Sequence, residues 1–207
     1  MPSRNITVLA LAALGIAASS IAVAQSSRSP ASATPDEWRM PYQSGFWGHA
    51  GLSFGQGKLK DACISGFACD DKDQAYRLYA GGRFNNAVGL EVGLLNMGKY
   101  QRGGGETDGW GLDLALVAGI PIGANSAIFG KLGAIYGRTE VSGTATPAQG
   151  LQIGKERGFG ARFGIGGQVG LTPQWAIRAD WDRFRMPMPG GKEDLDTLML
   201  GVQYTFR

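Results

Sequence analysis

Apolar and polar residues alternate one by one along several stretches of the chain. The clearest stretch is 159–171, where small or apolar residues occupy every second position: Phe159, Ala161, Phe163, Ile165, Gly167, Val169 and Leu171. The closing stretch repeats the pattern: Leu198, Leu200, Val202, Tyr204 and Phe206. Because successive side chains of a strand point to opposite faces of the sheet, each stretch predicts a β-strand with one apolar and one polar face.

The same pattern predicts eight strands and an all-β chain. They are placed near 46–55, 74–84, 88–99, 110–121, 127–140, 158–171, 175–186 and 195–206. Most of them reach the roughly 9–11 residues that a tilted strand needs to cross the hydrocarbon layer of a membrane.

The connections between these strands alternate in length. The short ones are 85–87, 123–126 and 172–174, and the long ones are 56–73, 100–109, 141–157 and 187–194. Short turns at one end and longer loops at the other are typical of outer-membrane barrels, whose longer loops are extracellular. We therefore predict an eight-stranded antiparallel up-and-down transmembrane β-barrel, with all the long loops at the cell surface.

The two faces of the predicted strands differ in charge. The apolar faces carry no charged residue. Aromatic residues lie near the strand ends, as in the interface belts of membrane barrels. They are Trp110, Tyr136 and Phe159 toward the long connections, and Phe84, Trp175, Tyr204 and Phe206 toward the short ones. The opposite faces carry the titratable residues His49, Arg77, Arg83, Glu91, Asp113, Lys131, Arg162, Arg178 and Asp180. In a narrow barrel these charges must pair across the lumen. The rival fold is a soluble, lipocalin-like barrel, which would reverse the two faces.

The N-terminus reads as an export signal. Residues 1–24 combine Arg4, an apolar core from Val8 to Ala18 and a small-residue site at 22–24. We predict a signal peptide at 1–24, a flexible segment at 25–44 and a barrel domain at 45–207, located in the bacterial outer membrane.

Composition narrows the alternatives. The chain has 34 glycines in 207 residues, but they lie inside the alternating stretches, which argues against low-complexity disorder and for a narrow barrel interior. The net charge of +3, without a run of Lys or Arg, argues against a nucleic-acid partner.

The only cysteines are Cys63 and Cys69. For an exported protein their default state is a disulfide, and we predict that it presents Ile64 and Phe67 on a constrained loop tip. A zinc site is not expected, because His49 is the only histidine.

The stretch YRLYAGGRFNNAVGLEVGLLNMGKY, residues 76–100, resembles the second and third strands of OmpA-like transmembrane barrels, a family of small eight-stranded outer-membrane barrels. The resemblance implies an inward acidic residue paired with basic residues of later strands. Glu91 takes that place, with Lys131, Arg162 and Arg178 as candidate partners. No periplasmic peptidoglycan-binding domain follows before Arg207, so cell-wall anchoring is not expected.

Two classes of function stay open. In the first, the barrel is a closed structural and surface-interaction protein whose partners are outer-membrane lipid or lipopolysaccharide, the barrel-assembly machinery, periplasmic chaperones and extracellular ligands. In the second, it is a transporter of small solutes or hydrophobic compounds, or a lipid A-modifying enzyme. The one nucleophile and base pair, Ser53 with His49, falls on the predicted inward face. The sequence favours the first class, with no enzymatic activity and no cofactor.

Overall fold

A computed structural model describes residues 47–60, 63–85, 87–122, 125–147 and 151–206. These residues form eight strands: β1 (Trp47–Leu59), β2 (Lys72–Arg83), β3 (Val88–Arg102), β4 (Gly105–Ile122), β5 (Ser126–Val141), β6 (Gly154–Gly170), β7 (Trp175–Met188) and β8 (Gly191–Phe206). Each strand pairs antiparallel with its neighbours in sequence, and β1 pairs with β8 to close the barrel. The predicted fold class is confirmed.

The outer wall of the barrel is apolar. Large apolar side chains alternate outward along every strand, and Leu132 and Phe159 are each 69% exposed. The closed strand pairing bonds neighbouring backbones to each other, and the wall presents hydrocarbon outward, as a spanning barrel requires. In the described residues, no helix has the length and hydrophobicity needed to cross a membrane.

At the end of the barrel opposite the chain termini, the strands are longer than the sequence predicted. Two of the expected long loops, 100–109 and 187–194, are instead tight hairpins whose connections are only 103–104 and 189–190. Gly103 and Gly104 have φ of 57° and 74°. A two-residue hairpin turn with positive φ at both positions matches the twist of the flanking strands, which favours glycine. The prediction of four long loops was therefore wrong at two of them.

The other predicted connections agree with the structure. The short turns lie at 84–87, 123–125 and 171–174, and the two remaining long loops at 60–71 and 142–153. The predicted signal peptide at 1–24 and flexible segment at 25–44 lie outside the described residues.

Candidate functional site

Eight charged side chains meet in the middle of the barrel. We call them the lumen cluster: Arg77, Glu91, Asp113, Lys131, Arg162, Arg178, Asp180 and Asp182. None is more than 4% exposed. The strands from β2 to β7 each contribute at least one of them, because inward positions recur at every second residue.

Glu91 on β3 is one centre of this cluster. Its carboxylate accepts a hydrogen bond from Arg178 Nη1 at 2.7 Å and lies 2.9 Å from Arg77 Nη2. His49 Nε2 lies 3.6 Å away and Arg162 Nη2 3.9 Å away. Two arginines therefore share this carboxylate directly, and one of them, Arg77, was not among the partners that the sequence suggested for it.

Lys131 belongs to the other side of the cluster. Its ammonium group lies 2.7 Å from Asp180 and 2.9 Å from Asp182, both on β7. Lys131 thus pairs with these two aspartates and not with Glu91, the partner that the resemblance suggested. Lys131 lies on β5 and the two aspartates on β7, with β6 between them. At this level β6 has Gly164 and Gly166, which have no side chain to separate the charges.

Asp113 and Arg162 join the two sides. Asp113 accepts hydrogen bonds from Arg77 Nε at 3.0 Å and Nη2 at 2.8 Å, and another from Arg162 Nη1. Arg162 Nη2 also donates to Asp182 at 3.1 Å. The four basic and four acidic side chains of the cluster thus form one continuous network with balanced formal charge.

Aromatic rings and glycines shape the space around the network. The guanidinium carbon of Arg178 lies 4.4 Å from the ring centre of Phe129 and 4.6 Å from that of Tyr79. A Cβ atom added at Gly166 would lie 2.5 Å from the Phe129 ring. A Cβ atom at Gly93 would lie 2.5 Å from Arg77 Nη2. Inward glycines therefore leave room for large charged and aromatic side chains of neighbouring strands.

Asp182 is the member of the cluster that sequence reasoning missed. It continues the inward row of Arg178 and Asp180 on β7 at the next alternate position, so the alternation itself was the available signal.

The His49 and Ser53 pair lies on the inward face of β1. Both side chains are buried, and within the described residues Ser53 Oγ has no hydrogen-bond partner. His49 contacts Glu91 and the rings of Trp47 and Tyr79. The pair therefore faces the lumen rather than the lipid. In the described part of the chain, no cluster of His, Cys, Asp and Glu has the geometry to hold a metal ion.

A second layer of the interior is apolar. We call it the apolar cap, and its buried members are Leu59, Ala75, Leu95, Met97, Tyr100, Ile135, Val141, Ala145, Leu151, Phe184, Met186, Met188, Leu195 and Met199. Sequence reasoning missed it, because inward positions were expected to be polar. Burial raises the pKa of the Tyr100 hydroxyl, and the nearby Asp73 carboxylate adds to the rise.

The family of the chain follows from comparison with known proteins. The model of the outer membrane protein beta-barrel domain matches residues 7–206. The chain belongs to this family. The resemblance to small outer-membrane barrels is thereby confirmed, and the protein is located in the bacterial outer membrane. No curated protein matches the chain.

Solved outer-membrane barrels share its fold. Ail, the attachment invasion locus protein of Yersinia pestis, is 20% identical, with a TM-score of 0.53 over 79% of this chain and 100% of Ail. Neisserial surface protein A is 14% identical, with a TM-score of 0.56 over 79% of this chain and 98% of its own. A structure of Ail in complex with the heparin analogue sucrose octasulfate is 18% identical, with a TM-score of 0.51 over 78% of this chain and 99% of Ail.

Membership of the outer-membrane barrel family orients the molecule. The C-terminal end of β8 lies at the end with the short turns, which is periplasmic in this class of barrel. The loops 60–71 and 142–153 and the apolar cap therefore lie toward the extracellular end.

The disulfide lies in the first of these loops. Cys63 and Cys69 are bonded, with their Cα atoms 5.4 Å apart. Ile64 and Phe67, between them, are partly buried and pack against the apolar cap, so the bridged loop exposes only part of each side chain. They close over the hairpin at Gly103, where Leu151 and Ile64 leave no room for a Cβ atom.

Opening the disulfide should leave the barrel folded. A bridge across so short a ring stabilises by about 2 kcal/mol, and the ring lies outside the strand ladder. We expect Cys63→Ser with Cys69→Ser to retain the heat-modifiable gel shift of a folded barrel while proteolysis within 63–69 becomes faster. Reductant should reproduce this in the wild type and have no effect on the double variant. Loss of the gel shift would contradict the expectation.

Proposed function

We propose that this protein is a surface-interaction protein of the cell envelope, in which a barrel with a closed lumen anchors an extracellular cap. One observation carries the proposal: the lumen cluster spans the interior with ion pairs between opposite strands. An eight-stranded barrel has an interior only wide enough for side chains, so a filled cross-section leaves no aqueous path. The apolar cap adds a second barrier on the extracellular side.

The extracellular end supplies the contact surface in this proposal. The disulfide closes the ring 63–69, and Ala145 and Leu151, from the second loop, belong to the apolar cap. A preorganised surface loses less conformational entropy on binding a partner. Sulfated polysaccharide is the first ligand class to test, since Ail was solved with a heparin analogue. In this proposal lipopolysaccharide surrounds the barrel. Periplasmic chaperones and the barrel-assembly machinery insert the barrel into the membrane.

The closed lumen predicts a null result in planar bilayers. We expect the refolded full chain to give no large, steady single-channel conductance, with a general porin inserted under the same conditions as the positive control.

Lipid A from expressing cells should have the same mass spectrum as lipid A from cells without the protein. Expressing cells should bind heparin-coated surfaces more strongly than cells without the protein do.

The three readouts separate the alternatives. A steady conductance would favour a transporter, and an altered lipid A mass would favour a lipid-modifying enzyme. Absence of heparin binding would remove this ligand class and leave the closed lumen standing.

A further inference from the structure

Two arginines lie side by side on the outer wall of the barrel. Arg138 on β5 and Arg157 on β6 are direct cross-strand partners, and they lie one outward step beyond the partners Tyr136 and Phe159. The rings of Tyr136 and Phe159 are in contact, with centres 5.0 Å apart. Because outward aromatic rings mark the level of the membrane interface, the arginine pair lies at the level of the lipid head groups.

The arginine pair has no counter-ion of its own. Among the described residues, neither Arg138 nor Arg157 makes a hydrogen bond or an ion pair. Like charges directly opposite each other on neighbouring strands are destabilising. The wall therefore places two positive charges together without an internal anion.

Two neighbouring basic side chains on the wall, Lys155 and Arg183, have acidic partners. Lys155 lies 2.9 Å from Glu140, one step further along the same two strands. Arg183 on β7 donates to Asp196 at 2.7 Å. These acidic partners are thus already engaged.

The outward faces of β5, β6 and β7 are strongly basic beyond the aromatic rings. Their charged residues are Arg138, Lys155, Arg157, Arg183 and Arg185 against Glu140. On the flanking strands, Asp108 is the Cα partner of Glu140 and Asp194 is the Cα partner of Arg185. The local excess of positive charge attracts an external anion.

We infer that Arg138 and Arg157 bind a phosphate group of lipid A in the outer leaflet, with the apolar part of the lipid against Tyr136 and Phe159. Each guanidinium offers a planar fork of N–H donors that matches two phosphate oxygens. A phosphate between the two forks neutralises both charges at once. The two rings below it, which are tilted by 57° against each other, contact the lipid where head group and acyl chains meet.

A double variant with a matched control tests the site. Arg138→Gln with Arg157→Gln removes both charges. Lys58→Gln with Lys72→Gln removes the same charge from another pair of cross-strand partners on the outer wall, where Lys58 already has Asp71 at 3.4 Å. Each full-length protein is refolded in an uncharged detergent and checked by heat-modifiable migration. Native mass spectrometry then measures the binding of bisphosphorylated lipid A at one fixed ionic strength.

The arginine double variant should bind lipid A about tenfold or more weakly than the wild type, as expected for lost charge-assisted hydrogen bonds. The lysine control should stay within about twofold, since Lys58 is already paired with Asp71 and a lysine lacks the bidentate fork. Arg138→Lys with Arg157→Lys retains the charge and should also bind more weakly than the wild type, because lysine lacks the bidentate fork. This variant decides the matter if the glutamine variant does not fold.

Parallel titrations identify the source of the phosphate. Wild-type protein should prefer bisphosphorylated lipid A over dephosphorylated lipid A, phosphatidylglycerol and inorganic phosphate. Equal binding of dephosphorylated lipid A would overturn the inference in favour of apolar contact alone. Equal binding of phosphatidylglycerol or inorganic phosphate, or equal losses in the arginine and lysine variants, would reduce the site to general electrostatic attraction and also overturn it.

Discussion

Replacing Glu91 by alanine is expected to lower the free energy of unfolding by about 3–5 kcal/mol, because it leaves one buried positive charge without a compensating carboxylate. Glu91 lies directly against Arg178 and Arg77, at 2.7 and 2.9 Å, and all three side chains are almost fully buried. Without the carboxylate, Arg178 keeps Asp180 and the Gln203 side chain, and Arg77 keeps Asp113, so the cluster has four basic groups against three carboxylates.

An exposed ion pair provides the control. Glu106 lies 3.5 Å from Lys99, and its side chain is 55% exposed. Glu106→Ala should therefore change the free energy of unfolding by less than about 1 kcal/mol. Both variants are measured by urea unfolding in phospholipid vesicles, followed by tryptophan fluorescence. If Glu91→Ala unfolded at the wild-type urea concentration, the network would not contribute to stability as argued.

The membrane-facing wall could be predicted from the sequence, because lipid requires an apolar or small residue at every outward position. Between Phe159 and Leu171 the alternation has no exception, so strand, face and approximate ends all follow from it. Above the membrane this rule ends. On β1 the outward residues change from the apolar Phe54 to the polar Gln56 and Lys58. The strand nevertheless continues to Leu59, beyond the last apolar outward residue. Hence the predicted loops were too long.

The inward positions could be predicted, but their partners could not. Alternation placed Arg77, Asp113 and Lys131 on the inward face, where the structure has them. Which charges meet depends on strand register and on the reach of each side chain across a curved sheet. Lys131 meets the carboxylates of β7 for that reason, a relation that no single strand encodes.

The apolar cap could not be recognised by alternation alone. Phe184 and Met186 occupy the same inward row of β7 as Asp182, so the row changes from charged to apolar within one strand. An apolar residue on an inward position looks like an irregularity in a single strand. It becomes a packed layer only when several strands bring such residues to the same height.

Phe184→Ala should therefore cost about 3–5 kcal/mol of unfolding free energy, as large-to-small changes of buried aromatic residues do. The Phe184 side chain is fully buried in the apolar cap, and its ring centre lies 5.1 Å from the guanidinium carbon of Arg162. The substitution removes a large side chain from a layer enclosed by the strands and the two loops. It leaves a cavity that the closed strand ladder cannot collapse to fill, and it also removes the ring beside Arg162.

Phe163→Ala is the matched control, because the same side chain is removed from the opposite face of the same pair of strands. Phe163 faces the lipid on β6, opposite Arg183 on β7, and its ring contacts that of Trp181. Lipid chains can fill the space it leaves, so only the contacts with Trp181 and Arg183 and part of the lipid contact are lost, at a cost of about 1–2 kcal/mol. The two variants are compared by the same urea unfolding in vesicles. Equal losses would mean that the extracellular half of the barrel interior is not packed as a core, and the second barrier in the lumen would lose its physical basis.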